Sequence, residues 1–221
     1  IIVSVPSTAN VSTLNLSKID SIQSGDNVDL TIGFDHIAIP IVKGTNASTI
    51  LSVSNAVDAS SVSLSAIDSI TSSSTLRLNP AQLSIPLTNS GTLILVIPST
   101  SNQSTLNLNN IQTIELHANV ELTMTIQQVS GKTIVKGSGA KLLATISGDA
   151  NGLTFPLIDT LIVNSNSSIT TAQYSKVAST NIVSGTLTLI ANGESLTNLT
   201  LGNESKIEIN GNVTMTTAQF N

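Results

Sequence analysis

The stretch NVELTMTIQQV (residues 119–129) returns near the other end of the chain as NVTMTTAQF (residues 212–220). With the last Gln of the phrase as a marker, Gln82, Gln128, Gln173 and Gln219 are separated by 46, 45 and 46 residues, and His36 stands 46 residues before Gln82. The surroundings agree: LTIGFDHI, LRLNPAQL, LTMTIQQV, SSITTAQY and VTMTTAQF align on the marker. Four positions before it lie Ile32, Leu78, Met124, Ile169 and Met215, and six before it lie Leu30, Leu76, Leu122, Ser167 and Val213. An apolar residue follows it each time: Ile37, Leu83, Val129, Tyr174 and Phe220.

Other columns keep the same step. KIDSI, AIDSI, NIQTI and LIDTL begin at residues 18, 66, 110 and 157, and a glycine closes each unit at Gly44, Gly91, Gly137 and Gly185. A period of 20–50 residues marks a solenoid, propeller or array. Within a unit the apolar residues alternate with polar ones, as in TLILVI, STLNL, IQTIEL, VELTM and KTIV. That is the signature of strands, and helical spacing is nowhere sustained for ten residues. Helical repeats are thereby excluded. The alternation changes phase at the marker, because positions −6, −4 and +1 are all apolar, so the chain must turn a corner there. Pro80, in the second unit, fits a corner better than mid-strand, where its missing N–H would break the ladder.

These features predict an all-β chain: a parallel β-solenoid, or β-helix, of about five repeats of roughly 46 residues. The units run approximately 1–44, 45–91, 92–137, 138–185 and 186–221, within a single solenoid domain over 1–221. Stacked strands lie about 4.8 Å apart. One coil per unit would put Asp20 directly against Asp68, and like charges opposite one another are destabilising. Two coils per unit, of about 23 residues each, avoid this.

The composition narrows the function. Charged residues are 10% of the chain, net charge is −5, and no basic run exists, which argues against nucleic acid and anionic membrane surfaces. No apolar run approaches the roughly 20 residues needed to span a bilayer, so membrane insertion is not expected. Cysteine is absent, which removes thiol chemistry and disulfides. Aromatics are 2%: Phe34, Phe155, Phe220 and Tyr174. The core must be aliphatic. The chain opens on Ile1 with no signal peptide, as expected of a processed product or a segment of something longer.

SSITTAQY and NVTMTTAQF, with LIDTLIV ahead of the first, resemble repeats of large secreted bacterial surface proteins, namely S-layer proteins and RTX-type adhesins with β-solenoid bodies. The resemblance implies a structural role in a coat, fibre or adhesin shaft, at the cell surface or outside the cell. The glycine- and aspartate-rich calcium nonapeptides common in that group are missing.

Little else points to chemistry. The nearest calcium candidates are Asp26 with Asp29 in SGDNVD and Asp149 in SGDANG, fewer carboxylates than calcium usually takes. A turn is the simpler reading of both, and no cofactor is expected. His36 occupies the marker column and reads as a Gln substitute; His117 has no repeated counterpart and reads as exposed on a coil edge. Asp20, Asp68 and Asp159 are placed by the repeat, with Gln112 in the third unit, so the fold accounts for them better than glycosidase chemistry does. Lys43 and Lys136 share a column before the closing glycine. Threonine rows such as TMT (123–125, 214–216) do not continue through every unit, which argues against ice binding. No nucleophile elbow or P-loop is present. Eight glycosylation sequons stand at Asn10, Asn15, Asn46, Asn102, Asn166, Asn198, Asn203 and Asn212. The expected function is a self-assembling structural or adhesive extracellular module rather than an enzyme, its partners being itself, neighbouring domains of the same surface protein and cell-surface glycan. The alternative is a secreted carbohydrate-active β-helix enzyme or a receptor-binding domain of a viral fibre.

Overall fold

A computed structural model describes residues 1–190 and 207–210. The chain is mostly sheet, its strands stacked in parallel as a β-solenoid of about ten turns with few helices. Two compact units divide it, Ile1–Val96 and Ile97–Asn221.

In the first unit the strands are β1 (Ile2–Val5), β2 (Ala9–Asn10), β3 (Ser21–Ser24), β4 (Asp29–Gly33), β5 (Ile41–Val42), β6 (Ser48–Val53), β7 (Val57–Asp58), β8 (Ser69–Ser72), β9 (Leu76–Leu78), β10 (Leu87–Asn89) and β11 (Leu93–Ile97), the last of which ends at the division. They stack as β1-β3-β5, β2-β4-β6-β8-β10 and β7-β9-β11. Their alternation is what the pleat requires: in STILSV of β6, Thr49, Leu51 and Val53 are buried while Ser48, Ile50 and Ser52 are half-exposed. Inward aliphatics fall on inward aliphatics of the next coil, as where Leu76 stands opposite Leu93 and Leu78 opposite Leu95.

In the second unit the strands are β12 (Ser101–Asn102), β13 (Thr113–Leu116), β14 (Glu121–Thr125), β15 (Thr133–Lys136), β16 (Lys141–Asp149), β17 (Ile158–Thr170), β18 (Val177–Ile182), β19 (Leu187–Ile190) and β20 (Ile207–Asn210). β13 pairs with β15, and β12, β14, β16, β17 and β18 form a second stack. β16 bends between Ile146 and Gly148, where the register shifts, so that the far end of β17 carries β19 and β20 on a further stack. Single helical turns, α1 (Ile126–Val129) and α2 (Thr171–Tyr174), follow β14 and β17.

Ile32, Leu78, Met124 and Ile169 are at most 1% exposed, so the inward column read from the repeat is the core; Met215, Val213 and Phe220 lie outside the described residues. STLNL, read from its alternation as a strand, is instead a loop at residues 104–108. Its polar residues favour Asx turns over ladder bonds, although Leu108 still points inward and is 3% exposed.

Each coil is shorter than 23 residues. Leu76 pairs with Leu93 and Ala9 with Leu30 in the first unit, and Leu143 with Thr160 and Ser101 with Leu122 in the second, which sets a coil at 17 to 21 residues. A 46-residue repeat therefore takes two coils and a fraction of the next. In consequence the marker motif steps round the coil. Within the first unit, β4 and β9 precede successive markers but belong to different stacks. Within the second, β14 and the far end of β17 do likewise.

The closing glycines mark the closest approach of one coil to the next. A Cβ at Gly91 would sit 2.1 Å from the carbonyl oxygen of Ser74, and one at Gly44 would sit 2.5 Å from that of Gly25. Only a residue without a side chain fits at those contacts.

Candidate functional site

The most repeated chemistry of the chain gathers at the marker. Each marker sits in a short helical turn: Phe34–His36, Pro80–Ser84, α1 and α2. In the last three the residue before the turn, Asn79, Thr125 or Thr170, caps it through its side chain. The marker's Oε1 in return accepts the N–H of that cap residue, at 2.8 Å for Gln82, Gln128 and Gln173 alike. This is a capping box. The amide nitrogen reaches the coil before. Gln82 donates to Ala59 O (2.7 Å) and Val62 O (2.9 Å), and Gln128 to Gln103 O (2.9 Å) and Leu106 O (2.7 Å). Gln173 donates to Ala150 O and Leu153 O, both at 2.7 Å. His36 does the same with a ring. Its Nδ1 accepts the Gly33 N–H at 3.3 Å, so Nε2 carries the proton and donates to Leu14 O at 2.9 Å.

The carbonyls so bound belong to a loop that also recurs: NVSTLNLSKI (10–19), DASSVSLSAI (58–67), NQSTLNLNNI (102–111) and DANGLTFPLI (149–158). Each opens on an Asx turn. Asn10, Asp58 and Asn102 accept the N–H two residues on at 3.0 Å, and Asp149 does so at 2.9 Å. The sequence signal was an Asn or Asp with a fixed spacing to the marker, but alternation in the same residues suggested a strand. Between loop and marker turn lies a recess. In the first repeat it holds about 430 Å³ and is lined by Leu14, Leu16, Ile19, Asp35 and His36 among others. In the second it holds about 390 Å³, with Leu64, Ile67 and Gln82. In the third it holds about 200 Å³ and includes Lys132.

The repeated Asp and Lys columns meet each other. Lys43 Nζ and the Thr49 N–H both donate to Asp68 Oδ2 at 2.6 Å. Partial burial pushes the Asp68 carboxyl up, but the Lys43 ammonium and the Thr49 N–H together leave it below the usual aspartate range. Lys136 pairs with Asp159 in the same way, and the Leu142 N–H donates to that carboxylate at 2.6 Å. Asp20 and Asp68 each donate their own N–H to the preceding coil, at Ile1 O and Thr49 O, both at 2.9 Å.

The remaining sequence candidates are spread over separate turns. Asp26 accepts the Thr45 N–H at 2.6 Å, Asp29 the Ser48 hydroxyl, and Asp149 the Ser168 hydroxyl at 3.0 Å. No group of three or more His, Asp or Glu side chains with metal-site spacing occurs among the described residues. His117 is exposed. Asn10, Asn15, Asn46, Asn102 and Asn166 are all exposed, whereas Asn198, Asn203 and Asn212 lie outside the described residues. No helix among the described residues is long and apolar enough to cross a membrane.

No protein-family model, curated protein or solved structure matches this chain.

Proposed function

We propose that the chain is a structural and adhesive module of an extracellular surface, part of a coat or shaft, that associates with copies of itself or with neighbouring domains. One observation carries this reading. The side chains that the sequence repeats are committed to binding coil to coil: the marker Gln to loop carbonyls, Asp68 to Lys43 and the Thr49 N–H, and Asp159 to Lys136 and the Leu142 N–H. A chain that spends its repeated polar residues on the frame is built to keep its form under load. Low charge density leaves little repulsion between copies, and aliphatics such as Val42 (55% exposed) and Leu157 (67% exposed) remain open to contact.

Sedimentation velocity over a range of concentrations, together with antibody labelling of intact cells that produce the protein, tests the reading. Concentration-dependent association and labelling without permeabilisation are expected. A monomer at high concentration with label only inside the cell overturns it.

A further inference from the structure

The three recesses differ in one respect that identifies a ligand. In the third repeat, Lys132 enters the recess and its Nζ donates to Leu108 O at 2.9 Å and Ile111 O at 2.7 Å. These two carbonyls belong to a turn closed by the Ile111 N–H donating to Leu108 O at 3.0 Å. Burial pushes the Lys132 ammonium below the usual lysine range, as expected of a cation seated in a partly desolvated pocket.

The same turn stands on the wall of the first two recesses. Ile19 donates its N–H to Leu16 O, and Ile67 to Leu64 O, both at 2.9 Å. Neither recess has a lysine in its lining, because the chain after those markers reads Ile39-Pro40 and Ile85-Pro86. Both are about twice the size of the recess that Lys132 enters. The first also has a carboxylate, Asp35, where the second has Ala81.

We propose that the first recess binds a primary alkylammonium, the side chain of a lysine presented by another polypeptide, with Leu16 O, Ile19 O and the Asp35 carboxylate as its acceptors and Leu14 and Ile39 against its methylene stem. Three acceptors match the three donors of an ammonium. Apolar walls suit a stem that buries its methylenes while its charged head is satisfied. A guanidinium, planar and forked, does not reproduce the point contact that Lys132 makes with two adjacent carbonyls. The second recess, with the turn but no carboxylate, binds the same group more weakly. The assignment rests on Lys132 and the repeat, and is independent of where the protein works.

The test is titration of the full chain with n-butylammonium chloride at constant ionic strength, followed by the backbone amide resonances of Ile19, Asp35 and His36, with tetramethylammonium chloride as control. A saturable shift with butylammonium and none with the control is expected, and Asp35→Asn should weaken it about threefold to fivefold. Lys132→Met empties the third recess. In that variant a second saturable set of shifts should appear at Leu108 and Ile111, and butylammonium should restore part of the lost thermal stability. Absence of a saturable shift in the natural chain overturns the proposal. So does binding to the Lys132→Met recess without binding to the first, which would mean that the turn alone is not the recognition element. Nα-acetyl-lysine amide should compete with butylammonium and Nα-acetyl-norleucine amide should not; equal competition by both would reduce the site to an apolar groove and overturn the ammonium assignment.

Discussion

Gln127 and Gln128 are neighbours on one helical turn, and only one of them holds the solenoid together. Gln127 is exposed. Gln128 accepts from the Thr125 N–H at 2.8 Å and donates to Gln103 O and Leu106 O on the preceding coil. Replacing each by Ala removes the same atoms from the same turn at a similar helix propensity, so the difference between the two variants isolates the lock. Gln103 O keeps the bond it accepts from the Leu106 N–H, while the Thr125 N–H and Leu106 O lose their bonds to Gln128. An intramolecular hydrogen bond contributes about 0.5–1.5 kcal/mol net, and a buried group left without a partner costs about 1–3 kcal/mol. Gln128→Ala should therefore destabilise by about 2–4 kcal/mol, against no more than about 0.5 kcal/mol for Gln127→Ala. Urea denaturation measures the difference. Amide exchange locates it, because protection should fall first across residues 102–111, whose carbonyls lose their anchor. Equal stability of the two variants, or a loss that leaves exchange in that loop unchanged, would refute the role given to the marker.

Three further outcomes follow from the same geometry. His36→Gln should leave the fold intact and change stability by less than about 1 kcal/mol, since Gln in that column makes two bonds to the loop where His36 makes one; circular dichroism with thermal melting checks it, and a large loss would mean that the His position is not equivalent to the others. Gly91→Ala drives a Cβ onto the Ser74 carbonyl and should cost more than about 3 kcal/mol, while Gly152→Ala, with open space around it, should be near neutral in the same melts. Asp68 has a folded-state pKa below its ordinary value, so its contribution is present above the ordinary aspartate range and is lost as pH falls through the lowered folded-state pKa. Because the pair is partly exposed, Asp68→Asn should cost no more than about 1 kcal/mol at neutral pH and should flatten the acid limb of stability against pH; an unchanged acid limb would refute the pairing with Lys43.

The fold was legible because inward residues recur. Ile32, Leu78, Met124 and Ile169 are named by spacing alone, and the phase change at the marker announces a corner. The length of a coil was not legible. Self-similarity in sequence reports the distance at which the same residues return, whereas stacking asks only that inward positions be apolar. Leu76 on Leu93 satisfies the stack at a distance the repeat does not show. The loop at 104–108 misled for a related reason: its leucines alternate as a strand's would, but they point inward from a chain held by Asx turns. The recess was hidden more deeply. Its walls come from segments about 20 residues apart, and Lys132 stands one position further from its marker than Ile39 and Ile85 do from theirs, so no column in the repeat contains it.

A repeat that is not a whole number of coils has a structural consequence. Asp20 immediately precedes β3 and Asp68 immediately precedes β8, strands of different stacks in one unit. Like charges are thus separated around the coil as well as along it, more completely than two whole coils per repeat would achieve. The phrase TMT at 123–125 lies against Leu143, Ala144 and Thr145 rather than against a copy of itself. Uniform ladders of identical side chains, which favour endless in-register stacking of chains, are avoided in this way. The same offset lets the frame repeat while the surface varies. Every repeat with a described marker turn has the corner bond and the anchored loop, yet the recess between them carries Asp35 in one repeat, Ala81 in the next and Lys132 in the third. Because the marker's bonds run through backbone carbonyls on the loop side, the loop's side chains are free to change without loosening the coil. A solenoid built on this rule can present different contacts along its length at nearly constant stability, and that property is what supports reading it as a scaffold for contact rather than as a vessel for one reaction.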